Sequence, residues 1–359
     1  MARFSQRCKT IETNFNYTFL NVISMSTIRF ITLLFLCSFI SHYSATAQSA
    51  IEAYCSYNGF ELNNVEIPLT AVFQAGPGKE GVPSIEDPQF LSAANTSYLA
   101  DQDLVIGVYV NGIAKAYPVK VMNYHEIIND QFGKESIAVT YSPLSASAMA
   151  FSAQIGGKKQ TFGVSGLLYN NNLLFYDWET ESLWSQLLGK AVTGPSSGKK
   201  LLQIPVEKTT WAAWKARHPQ TKVLSKNTGY HRNYDIDPYS LYADNTRKTM
   251  FPVEFRDRKL SLKEKVMGLR IGREVRAYPL ALLRKASKTP IVDKLNGVQI
   301  QISYDDIAQT AQVTDDDGRI LPTVNTYWYA WFAFHPETDI YGFLPDQSNL
   351  AMEFLTGGR

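Results

Sequence analysis

Val105-Ile-Gly-Val-Tyr-Val-Asn-Gly-Ile-Ala-Lys-Ala-Tyr-Pro118 lies over Val266-Met-Gly-Leu-Arg-Ile-Gly-Arg-Glu-Val-Arg-Ala-Tyr-Pro279, with Val, Gly, Ala, Tyr and Pro at identical spacing. Asn111-Gly112 sits between two apolar runs, and because both turn residues need positive φ this predicts a β-hairpin over Leu104 to Tyr117. Two further matches follow in the same order. Ile137-Ala-Val-Thr-Tyr141 lies over Ile300-Gln-Ile-Ser-Tyr304, and Trp211-Ala-Ala-Trp-Lys-Ala-Arg-His-Pro-Gln-Thr221 over Trp328-Tyr-Ala-Trp-Phe-Ala-Phe-His-Pro-Glu-Thr338. Three ordered matches predict an internal duplication. The offset is 161 at the hairpin and 117 at the tryptophan pair, so the first copy holds 44 more residues, mostly between Tyr141 and Trp211.

Local signals extend the hairpin into a unit. Pro118 suits the first turn of a helix running to about Ile128, where Val119, Met122 and Ile127 recur near helical spacing. Strands are predicted at Ile137 to Tyr141, Met149 to Ile155 and Leu173 to Tyr176. A short helix is predicted from Thr209 to Arg217, capped by Thr and ended by His218-Pro219. The expected fold class is a β-rich α+β arrangement: two unequal repeats of a hairpin-helix-strand unit sharing one core. The expected organisation is a leader at 1–47, an N-terminal segment at 48–103, the first repeat at 104–255, the second at 256–345 and a tail at 346–359.

The leader reads as a secretory signal. Arg29 precedes an apolar run from Phe30 to Ile40, and Ala45-Thr-Ala47 supplies a small-x-small cleavage site, with Met25 as an alternative start. The run is shorter than the roughly 20 residues a spanning helix needs. Removing 1–47 leaves 31 basic and 32 acidic side chains and, of the three cysteines, only Cys55. Such a chain has neither the basic field of a nucleic-acid binder nor a disulfide framework. It is expected to be periplasmic or secreted, with no membrane span in the mature part. The apolar content of 45%, with 20 Tyr, 19 Phe and 6 Trp, is ample for a core.

Five segments carry a family resemblance: Gly76-Pro-Gly-Lys-Glu-Gly-Val-Pro83, Ala116-Tyr-Pro118, Tyr124-His-Glu-Ile-Ile-Asn-Asp130, Phe162-Gly-Val-Ser-Gly-Leu-Leu-Tyr-Asn170 and Leu183-Trp-Ser-Gln186. Together they resemble the bacterial domain-of-unknown-function 3179 family, over about Ile67 to Phe255 and more loosely the second repeat. The resemblance implies an exported protein and no settled activity. It also implies cysteines after the strand ending Thr-Tyr. Here that segment reads Tyr141-Ser-Pro-Leu-Ser145, so Ser142 and Ser145 stand where the family's sulfur is expected, and thiol chemistry at this spot is excluded.

Residues found only in the first copy are the functional candidates. His125 and Glu126 are the candidate catalytic pair, as general base or metal ligands, with Asn129 and Asp130 four and five residues after His125. No second His lies at i+4, as a zinc-protease helix requires. Ser142 and Ser145 lack the Gly-x-Ser-x-Gly flanks of a nucleophile elbow. The inserted stretch gathers Tyr169, Asn170, Asn172, Trp184 and Gln186, aromatic faces beside two-way hydrogen-bonding groups, as a pocket for a small polar ligand requires. Tyr141 and Arg232 complete the candidate set. His218 and His335, matched between copies, read as structural, and Asp315-Asp-Asp-Gly318 as a β-turn. Two functions stay open: an exported binder of a small polar ligand in a pocket of the first repeat and its insertion, or an enzyme using His125 and Glu126. The sequence names no cofactor, metal or oligomeric state.

Overall fold

The computed structural model describes residues 57–286 and 289–342; the leader, Cys55 and the predicted tail lie outside the described residues. The expected α+β class is overturned: strands make up 40% and helices 13%, and five sheets are arranged as a propeller-like ring rather than as hairpin-helix-strand units. The physical reason is local. The longest helices, Val119–His125, Trp211–Arg217 and Trp328–Phe334, have seven residues each, too few to form a layer. The first ends at His125 and not near Ile128. Ile127–Phe132 is instead a strand paired with Glu135–Ser142, so Asn129 and Asp130 do not share a helix with His125.

Sheet I joins strands Val72–Gln74, Phe162–Tyr169, Asn172–Asp177, Leu183–Ser185 and Lys190–Ala191 in that order. Sheet II orders Gln203–Ile204, Ser147–Ser152, Glu135–Ser142 and Ile127–Phe132. Sheet III orders Val206–Thr210, Leu104–Val110, Ile113–Pro118, Lys222–Leu224 and Phe90–Ser92. Sheet IV orders Val324–Tyr327, Lys265–Ile271, Glu274–Pro279 and Asp339–Ile340. Sheet V is the meander Ile291–Leu295, Val298–Asp305 and Thr310–Asp315. Sheet I packs on II (Phe175 on Phe151), and II packs on III through Ile137 and Val139 against Ile106 and Val108. Thr209 of III bonds Ala308 beside V, and V packs on IV through Ile300 and Ile302 against Met267 and Leu269. The ring closes where Phe334, in the helix joining two strands of sheet IV, meets Tyr169 of sheet I at 5.1 Å between ring centroids.

Sheets III and IV are built alike. In each, a hairpin pairs Val with Pro at its base (Val105 with Pro118, Val266 with Pro279) and a later strand adds in parallel beside the second arm. In each, a tryptophan lies across a strand glycine. A Cβ on Gly107 would fall 2.3 Å from the Trp214 ring, and one on Gly268 would fall 2.2 Å from Trp331, so only glycine fits either place. Both indoles donate to a threonine at 2.9 Å, Thr221 and Thr338, and both lie tilted against a histidine, His218 and His335. Each hairpin also ends in a charge clamp. Lys115 and the Tyr117 hydroxyl hold Asp130, while Arg276 and the Tyr278 hydroxyl hold Asp293. Asp130 therefore belongs to the scaffold.

Candidate functional site: the Glu126 cavity

Pro118 enters the helix Val119–His125 with φ already fixed near the helical value. The helix stops on Glu126, whose φ of 58° and ψ of −32° lie outside the regions a residue with a side chain prefers. Such a conformation costs about 1–3 kcal/mol and persists only where neighbours enforce it. Here the Glu126 N–H donates to Met122 at 2.8 Å and its carbonyl accepts from the Tyr141 N–H at 2.7 Å. The corresponding helix in the second half, Leu280–Lys285, ends on Ala286 at an ordinary φ of −95°.

This strained turn brings Glu126 to a cavity of about 130 Å³. Pro77 and Val82 form one wall, Ser142, Pro143 and Leu144 a second, Val164, Gly166, Leu167 and Leu168 a third, and Tyr239, Met250 and Phe251 the remainder. Five stretches of chain thus meet: three belong to the family-resemblance segments Gly76–Pro83, Tyr124–Asp130 and Phe162–Asn170, the fourth is the serine loop that follows Tyr141, and the fifth carries Tyr239, Met250 and Phe251. Close approach is built in: a Cβ on Gly166, at φ +72°, would fall 2.4 Å from the Pro77 carbonyl oxygen.

The Glu126 carboxyl has no hydrogen bond or ion pair among the described residues, and no lysine or arginine lines the cavity. Glu126 is half-buried, and its burial pushes the carboxyl pKa up to about 8, which favours the protonated acid near neutral pH. Ser142 is 2% exposed, and its hydroxyl is likewise without a partner among the described residues. The Tyr239 phenol is held above its ordinary range, first by burial and then by the neighbouring Glu126 and Asp237 carboxyls. An acid, a hydroxyl and a phenol therefore border an otherwise apolar space.

The serine loop is held from several sides. The Tyr329 hydroxyl donates to the Leu144 carbonyl at 2.7 Å, Thr326 Oγ1 to the Ser145 carbonyl at 2.8 Å, and Lys208 Nζ to the Ala146 carbonyl at 2.7 Å. Ser145 itself turns away from the cavity into a closed network. Asn172 Nδ2 donates to Ser145 Oγ at 3.0 Å and to Gln186 Oε1 at 2.8 Å, Ser147 Oγ donates to the same oxygen at 2.6 Å, and Gln186 Nε2 donates to Thr140 Oγ1 at 2.9 Å. Ser145, Asn172 and Gln186 are thus brought together, but with one another, and all are fully buried.

The other candidates lie around the cavity rather than in it. His125 is fully buried, with Nδ1 2.8 Å from the Pro83 carbonyl and Nε2 2.6 Å from the Tyr234 hydroxyl. A carbonyl only accepts, so the proton is assigned to Nδ1 and Nε2 accepts from Tyr234. Burial lowers the pKa of His125, and Arg232 adds to this, so the ring is neutral with both nitrogens occupied. What His125 does is tie down the loop that carries Tyr239, helped by Asn123 on Asp237 and Tyr124 on the Ile236 carbonyl. Arg232 is exposed.

Asn129 clasps Phe162 through both its amide atoms, at 2.7 and 2.9 Å. Tyr169 and Asn170 hold Glu254, and Asn171 holds Phe251, placing the wall residues Met250 and Phe251. Trp184 donates to Asp177 at 2.8 Å inside the core. Tyr141 sits beside the site, buried next to Tyr327, Asp237 and Tyr239. Sequence reasoning missed Tyr239, Met250 and Phe251. No local signal marks them, because they reach the cavity only through long-range contacts.

A model of the family described as protein of unknown function (DUF3179) matches residues 79–320. The chain belongs to the DUF3179 family. The match takes in Glu126, the serine loop, sheets II, III and V, and the hairpin Lys265–Pro279 of sheet IV. No curated protein and no solved structure matches the chain. Among the described residues, no helix is long and apolar enough to cross a membrane, and no group of three or more His, Cys, Asp or Glu side chains is placed to hold a metal ion.

Proposed function

We propose that this DUF3179 protein is an exported binding protein for one compact, largely apolar molecule whose single polar group meets Glu126 and Ser142. The observation that carries the reading is an unpaired acid, held on strained backbone, in a small cavity that distant segments converge to build. Strain of this kind collects at ligand clamps and reactive sites, and a carboxyl left alone in apolar surroundings gains most from a ligand that completes its hydrogen bonding. Size limits the ligand. A dry cavity of about 150 Å³ holds benzene, so the 130 Å³ here takes a body of about five or six heavy atoms. The polar ligand expected in the insertion is replaced by this smaller, more apolar one, since Asn172 and Gln186 are already satisfied. Support for export is the leader reading at 1–47.

The test is a thermal-shift screen of alcohols, amides, nitriles and amines of up to six heavy atoms. At least one class should raise Tm, and the shift should vanish in Val164→Phe, which fills the cavity. A flat screen, or shifts that persist in Val164→Phe, sinks the reading.

A further inference from the structure

The charge of the bound molecule can be read from what surrounds Glu126. No cation lines the cavity, while two carboxyls, Glu126 and Asp237, act on Tyr239. Of the other titratable neighbours, Tyr141 and Tyr124 are phenols, His125 is neutral with its ring turned to Pro83 and Tyr234, and Lys208 spends its Nζ on the Ala146 carbonyl, outside the cavity lining. Arg232 lies beyond that ring on an exposed loop. An anionic ligand would enter beside acids with nothing to pair it, at the full cost of burying a charge.

We propose, resting on the binding reading above, that the molecule taken by the Glu126 cavity is a small aliphatic amine bound as its ammonium ion. An ammonium group has only donors. The ionised Glu126 carboxyl, the free Ser142 hydroxyl and the Tyr239 phenol oxygen supply three acceptors for its three N–H bonds. Val82, Leu144 and Leu167 suit a branched alkyl body. Protons balance simply: an ammonium that enters against protonated Glu126 displaces one proton to solvent and ion-pairs with the carboxylate left behind.

That balance sets a sign. Affinity for an amine should climb about tenfold per pH unit up to about pH 8 and then level until the free amine deprotonates near pH 10. A neutral acceptor would behave oppositely, binding evenly below pH 8 and weakening above it. Isothermal titration of the full chain with isobutylamine and with isobutyramide, at pH 6, 7, 8 and 9 in buffers of different ionisation heat, separates the two. Expected are isobutylamine binding that rises with pH, release of about one proton per site below pH 8, and loss of at least tenfold in Glu126→Gln, with unchanged melting cooperativity certifying its fold. Isobutyramide binding that is flat to pH 8 and falls above it would overturn the amine assignment and leave the binding reading standing. If neither compound binds while another class in the thermal-shift screen does, the assignment fails alone. If the screen is also empty, both fail.

Discussion

Sheets II and V are matched meanders with opposite fates. Each packs one face on a hairpin sheet, through Ile137 and Val139 in one and Ile300 and Ile302 in the other. The second face of sheet II is covered by sheet I, so strand Glu135–Ser142 is buried at every residue after its first. Among the described residues nothing covers the second face of sheet V, and strand Val298–Asp305 alternates, with Gln299, Gln301 and Ser303 exposed. The serine loop shows the result. In sheet II it is buried under Tyr329, Thr326 and Lys208 and borders the Glu126 cavity, whereas its counterpart Asp305–Gln309 is mostly open to solvent. The inserted residues thus turn a solvated strand connection into a wall of the Glu126 cavity.

The comparison breaks most visibly at Ala138, which faces sheet I, and at its match Gln301, which faces water. Ala138→Gln should cost about 4 kcal/mol or more, since it overpacks a filled space and buries an unpaired amide. Gln301→Ala should stay within about 0.5 kcal/mol. Equal losses in denaturant unfolding would show that the two faces are not differently covered. The charge clamps come next. Asp130→Asn leaves Lys115 buried without its partner and should cost about 3 kcal/mol, while Asp293→Asn, at the more exposed Arg276 pair, should cost about half as much.

Glu126 tests the strained turn that only the first half has. Its folded pKa is raised, so folding takes up a proton wherever the unfolded carboxyl has lost it. Stability should therefore fall as pH rises from about 4.5 to about 8, and Glu126→Gln should remove that slope. Relative to its effect at pH 4, the variant should gain up to about 4 kcal/mol at pH 8, a difference that paired melts would reveal. The smallest effect concerns the reciprocal clasp between halves, where Thr209 holds the Ala308 carbonyl and Thr326 the Ser145 carbonyl. Thr209→Val and Thr326→Val should each cost about 1 kcal/mol. Only the second should disturb ligand uptake, because only its loop borders the cavity.

Much of this was legible in one dimension because it rests on neighbours in sequence. The Asn111-Gly112 turn has the positive φ angles its residues favour, 51° and 80°, and Thr210 caps the helix Trp211–Arg217 through the Ala213 N–H. The contrast between Ala138 and Gln301 was also present in the matched strands, since a residue facing water must be polar and one facing a second sheet must not. The helix ends before the spacing predicts because Ile127 and Ile128 continue its apolar pattern, while the backbone reversal at Glu126 has no signal in residue type. His125 and Glu126 were singled out together, yet only the acid reaches the cavity. The histidine next to it points to the opposite partners, Pro83 and Tyr234.

By itself the sequence determined the Asn111-Gly112 hairpin, the short Trp211–Arg217 helix, the matched glycine, tryptophan and histidine positions and the residues that differ between the two halves, since each follows from local conformational preference or from apolar spacing. Only the tertiary structure decided that the sheets close into a ring and that Glu126 meets Ser142, Tyr239 and Phe251. Those contacts join segments up to more than a hundred residues apart, and an acid's freedom from partners depends on every group that packs around it and not on its own neighbours in the chain.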